Sequence, residues 1–113
     1  MYTIRDTMPR FGRGRMRARR WITELPYFRN FRPVGVSSEH VKTIILRLEE
    51  LEALRLVDAQ NLTQEEAAIQ MGISRRTLWE DLRSARTKVA RALLNGYAIR
   101  IDCGDHNIVR EEM

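Results

Sequence analysis

One spacing constrains this chain more than any other. Ala68, Gly72, Ile73, Ser74, Leu78 and Leu82 fall where two helices crossing steeply over a tight turn need them. Close crossing needs small residues in the first helix, which Ala67 and Ala68 supply. The turn needs a residue that accepts positive φ, and Gly72 follows Ala68 by four positions. Ile73 then plugs the core, Ser74 caps the second helix, and Leu78 and Leu82 continue its apolar face. The pattern predicts a helix-turn-helix.

The flanking residues extend it. Thr63-Gln64-Glu65-Glu66 is a capping box opening the first of these helices. In the second, apolar positions recur at Leu78, Leu82, Ala85, Val89 and Leu93 up to the stop signal Asn95-Gly96. Residues 49–59 read as a preceding helix with acids in its first turn. Residues 42–48 and 97–102 are β-branched or alternating and read as two strands, natural partners, within one chain or between subunits, because an isolated strand leaves its backbone unpaired. The predicted fold is mainly α: a three-helix helix-turn-helix core, two short flanking strands and an Arg-rich N-terminal arm. The arm is expected over 1–36, the helix-turn-helix domain over 37–103, and a polar, frayed tail over 104–113.

Charge is distributed unevenly. Residues 1–33 hold nine Arg against Asp6 and Glu24, while residues 34–113 carry a small acidic excess. Concentrated basicity of this kind points to a polyanion. No apolar run reaches the roughly 18–20 residues that span a bilayer, so no membrane partner is expected. No apolar region follows the arginines as in a secretory signal, and Pro9, Gly12 and Gly14 interrupt the amphipathic helix of a transit peptide. The single cysteine, Cys103, excludes an internal disulfide. A cytoplasmic, nucleoid-associated protein is the expectation.

With Leu78 on the core side, a helix advancing about 100° per residue turns Arg76, Glu80, Arg83 and Thr87 outward, with Arg75 and Trp79 on one flank. Arg76 and Arg83 suit bidentate contacts to guanine, and Glu80 suits a cytosine amine. Alternatively, Glu80 pairs with both arginines on a solvated surface. Ser74, Thr77, Arg86 and Lys88 are candidates for phosphate contacts, which position without specifying sequence. Trp79 reads as cover for the core or an interface, or as a stacking contact to DNA. Arg13, Arg15, Arg17, Arg19 and Arg20 are candidates for the minor groove or for a phosphate clamp.

Taken together, these residues resemble a family of predicted DNA-binding proteins, the domain of unknown function one-three-four. The resemblance runs from Met8-Pro9-Arg10 to about Asp102. It is carried by the Arg-rich start, by Phe31-Arg32-Pro33-Val34-Gly35, by residues 48–56 (Leu-Glu-Glu-Leu-Glu-Ala-Leu-Arg-Leu), by Leu62-Thr63-Gln64-Glu65-Glu66-Ala67-Ala68, by Met71-Gly72-Ile73-Ser74-Arg75, and by Ala85-Arg86 with Lys88-Val89. Residues 48–93 also resemble the fourth region of sigma factors. The resemblance implies a role in transcription and a possible contact with the transcription machinery. Glu80 and Asp81 depart from the basic or apolar residues expected of relatives at those positions.

Cys103, Asp105 and His106 cluster near the end, but one Cys and two His in the whole chain do not make a structural zinc site. Gly12-Arg13-Gly14 lacks the strand and helix of a phosphate loop, and no nucleophile–base pair stands out. No enzymatic activity, cofactor or metal is expected. The expected partners are double-stranded DNA and a second copy of the chain, joined through the apolar end of the long helix and the strands. The alternatives are a protein-binding module and RNA binding through the arm.

Overall fold

The computed structural model describes residues 2–3, 20–103 and 107–110. Three short strands come first in chain order: β1 (Tyr2–Thr3), β2 (Trp21–Ile22) and β3 (Asn30–Phe31). Then come β4 (Thr43–Arg47), α1 (Leu48–Ala53), a π-helical turn (Leu54–Ala59), α2 (Gln64–Met71), α3 (Arg75–Asn95), β5 (Ala98–Asp102) and β6 (Asn107–Arg110).

The two strands expected from sequence pair with one another. β4 and β5 run parallel, with Thr43 level with Ala98 and Arg47 level with Asp102. Parallel neighbours need a long crossover, and here the crossover is the whole helical unit from residue 48 to 97. The strand pair therefore ties together both ends of that unit. β3 adds to the free side of β5, giving the order β3-β5-β4, and β1, β6 and β2 form a second small sheet. Two expectations are corrected. Part of the C-terminal stretch read as a frayed tail is β6. The stretch assigned to the arm contributes structure from Arg20 onward, with Ile22 fully buried.

The helix ends follow local chemistry. The Glu66 amide donates to Thr63 Oγ1 and the Thr63 amide to Glu66 Oε1, completing the box. At the other end of α2, Gly72 adopts φ 69°, its N–H donating to Ile69 and that of Ile73 to Ala68. This paired closure satisfies carbonyls that the helix end leaves open. Ser74 Oγ accepts from the Thr77 amide to start α3, and Gly96 at φ 71° stops it. The helix expected at residues 49–59 instead begins at Leu48 and widens into the π turn after Ala53.

Two apolar clusters form the core. Ala53, Leu56, Ala67, Ala68, Met71, Leu78 and Leu82 make one; Ile22, Leu46, Leu48, Ala85 and Ile101 make the other. α3 is common to both. Its apolar stripe runs through Ala92 rather than Leu93, which is 78% exposed. Fourteen residues from Leu78 bring Ala92 about 40° from the core direction, whereas Leu93 lies about 60° away on the other side.

Candidate nucleic-acid interface

Residues 20–23 run from α3 and the Gly72 turn to α1, each held in a different way. Arg20 donates from Nε to Asp81 Oδ2 at 3.1 Å and from Nη2 to Oδ1 at 3.0 Å, with both side chains 4% exposed. Trp21 rests against the turn, so that a Cβ at Gly72 would lie 2.9 Å from its Cδ1. Gly72 thus serves twice, by its positive φ and by the absence of a side chain under Trp21. Ile22 enters the core. Thr23 donates its amide and hydroxyl to Glu52, whose carboxylate also accepts from Arg55, and Arg55 in turn reaches the Thr23 hydroxyl. The Glu52 hydrogen bond holds the Arg55 guanidinium above its usual pKa, against the opposing effect of burial.

The polar residues of α3 divide by direction. One flank carries Asp81, Ser84 and Lys88. Asp81 receives Arg20, the Ser84 hydroxyl donates to Glu50 Oε2, and Lys88 Nζ donates to Glu50 Oε1 and the Ile45 carbonyl, both at 2.8 Å. Glu49, Glu50 and Glu52 of α1 are at most 4% exposed. Buried carboxylates of this kind need partners. Glu50 finds its partners on α3 and at the Arg47 amide, Glu52 at Thr23 and Arg55, and Glu49 lies 3.9 Å from Arg47.

The other directions are open to solvent. Arg75, Arg76, Trp79, Glu80 and Arg83 are all exposed, Trp79 at 42%. Arg76 lies 3.5 Å from Glu80, a pair with side chains 86% and 63% exposed. Arg75 and Arg83 have no ion pair among the described residues. Arg86 faces the π turn, donating from Nε and Nη2 to the two oxygens of Asp58 at 3.0 and 2.8 Å. That bond raises the Arg86 pKa and lowers that of Asp58.

The structure therefore sorts the candidates that sequence grouped together. Ser74 and Thr77 are engaged at the helix cap, where their hydroxyls also bond to each other. Arg20, Arg86 and Lys88 are occupied within the fold. Asp81, named with Glu80 as a departure from relatives, is buried on the flank while Glu80 is exposed. Arg75, Arg76, Trp79, Glu80 and Arg83 share one exposed surface. Arg13, Arg15, Arg17 and Arg19 lie outside the described residues, as do Asp105 and His106. Sequence reading missed the Arg20–Asp81 and Lys88–Glu50 pairs. Their one available signal was the polar series 81, 84, 88 bordering the apolar stripe opposite three glutamates.

Comparison with known proteins places the chain. It belongs to the family described as protein of unknown function DUF134, which matches residues 8–109. A UPF0251 protein of Methanosarcina acetivorans is 50% identical over 100 residues, covering 88% of each chain. Another, from Pyrococcus furiosus, is 46% identical over 106 residues, covering 93% of this chain and 98% of its own. A third, from Thermoanaerobacter, is 46% identical, covering 82% of each. No solved structure matches significantly. No helix among the described residues is long and apolar enough to cross a membrane.

Proposed function

We propose that this protein binds double-stranded DNA, with α2, the Gly72 turn and α3 acting as a helix-turn-helix and the N-terminal half of α3 entering the major groove. The observation that carries this reading is the sorting of charge on α3. Inward and flanking cations are neutralised internally, whereas Arg75 and Arg83 stand exposed beside Arg76 and Trp79 without ion pairs among the described residues. Holding several arginines on one rigid surface costs repulsion that a polyanion removes. Glu80, 3.5 Å from Arg76, orients that guanidinium or accepts from a cytosine amine. The arginines before residue 20 supply sequence-independent grip on phosphates or the minor groove. Transcriptional regulation and association with the nucleoid follow from this reading.

Selection from a random duplex library, with and without residues 1–19, is the test. We expect an enriched site with the full chain and a steeper salt dependence than without the arm. Arg76→Ala and Arg83→Ala should each weaken that site by about 1–3 kcal/mol and relax one base position. Arg86→Ala, whose guanidinium Asp58 already holds, should change binding little. An unenriched pool would move the reading to a protein-binding module, and better competition by RNA would move it to RNA. The second copy expected from sequence belongs to the same reading. Leu93 and Leu94 stand 78% and 83% exposed at the end of α3, and sedimentation as a strict monomer at tens of micromolar would remove it.

A further inference from the structure

The β3-β5-β4 sheet has a second face. Leu46, Ile99 and Ile101 point into the core with Leu48 and Ala85, so alternation turns Thr43, Ala98, Arg100 and Asn30 to the opposite side, away from the helices. The register sets these residues side by side. Asn30 is level with Arg100, Thr43 is level with Ala98, and Arg32, two residues beyond Asn30, comes level with Ala98 from the other strand. Ala98 is a buried floor between a guanidinium and a hydroxyl, with a second guanidinium in the next row. Above it is a cleft of about 160 Å³ lined by Asn30, Arg32, Val41, Thr43, Ala98, Ile99 and Arg100. Among the described residues, no carboxylate lines it and neither Arg32 nor Arg100 has an ion pair.

We propose that this cleft is an oxyanion site that takes one tetrahedral phosphate group. Its volume equals roughly five waters and falls below the roughly 300 Å³ at which pockets begin to hold whole small molecules. Two guanidiniums, one on β5 and one just past the end of β3, a hydroxyl and an amide give donors in more directions than the two coplanar oxygens of a carboxylate can use. Guanidinium forks match phosphate oxygens in pairs. Three of the four donors, Asn30, Thr43 and Arg100, stand on paired strands, which hold them more rigidly than a loop would. It is separate from the α3 surface and does not depend on it.

The test follows backbone amide resonances of the full chain during titration with inorganic phosphate, against sodium chloride of equal ionic strength and against acetate. Saturable shifts at Thr43, Ala98, Ile99 and Arg100 with phosphate alone are expected. Arg32→Gln and Arg100→Gln, both at exposed positions, should each weaken phosphate binding roughly tenfold, as expected for loss of a charge-assisted hydrogen bond. Equal shifts with chloride, or undiminished binding in both variants, would overturn the proposal. A duplex arm distinguishes the source. If duplex moves the same amides and Arg100→Gln reduces that effect, the phosphate belongs to a nucleic-acid backbone. If only phosphate moves them, it is a free or small-molecule phosphate. DNA binding that leaves this cleft without any phosphate response sinks this inference and not the proposed function.

Discussion

The two sides of α3 carry similar residues and use them differently. On the flank of Asp81, Ser84 and Lys88, each polar group meets a partner from another element, and the charges are buried or half-buried. On the surface of Arg75, Arg76 and Arg83, the charges are exposed and the one ion pair among the described residues is local. A buried pair holds the fold because removing one member strands the other in a poorly solvating interior. An exposed arginine contributes little to the fold, since water already solvates it. The flank therefore serves stability, and the outer surface is free to serve binding.

The strongest way to break this contrast is Asp81→Ala. Arg20 would lose its two hydrogen bonds to Asp81 while remaining buried, and we expect a loss of about 3–5 kcal/mol in urea unfolding. A cost near that of a surface substitution would show that the flank is not structural. Next in size is Gly72→Ala, which forces a Cβ into positive φ and to within 2.9 Å of Trp21. A loss of about 2 kcal/mol with altered tryptophan fluorescence is expected, since the strain and the displaced ring act together. Unchanged fluorescence would mean that Trp21 is not seated on the turn.

Asp58→Asn examines an intermediate case, an ion pair of α3 that is exposed. The Asp58 carboxyl titrates below its unfolded value of about 4 because Arg86 bonds to it. Its contribution is therefore complete above that value and is lost as pH falls through the lowered one. With both partners about 40% exposed, solvent screening limits it to about 0.5 kcal/mol. The difference between wild type and variant in urea midpoint should be visible at neutral pH and vanish under acid conditions. The smallest effect on stability belongs to Arg83→Ala, expected within about 0.5 kcal/mol of wild type. A larger loss in urea unfolding would assign Arg83 to the fold and weaken its place in the proposed interface.

Much of the local architecture was legible from residues. The capping box at Thr63, the left-handed turn at Gly72, the cap at Ser74 and the stop at Gly96 all depend on chemistry within one helical turn. The extent of α3 was read for the same reason, and so was the Arg76–Glu80 pair, whose members are four residues apart. Less legible was the continuation of the apolar stripe. Leu93 is the more hydrophobic residue, but Ala92 has the better angle, and packing follows angle. β2 and β3 were invisible because two-residue strands have no periodicity to detect. They exist because β6 and β5 offer open edges.

Sequence by itself determined where the helices start and stop and which residue must turn the chain, because caps, turns and periodicity are decided among near neighbours. Only the tertiary structure decided which charges remain available. Arg20 and Asp81 are 61 residues apart, Lys88 and Glu50 are 38 apart, and Arg86 and Asp58 are 28 apart. In sequence, Arg86 and Lys88 are as much candidates for contact with DNA as Arg75 and Arg83. Coulombic pairing acts across a few ångströms of space, and only the folded chain brings those carboxylates within reach.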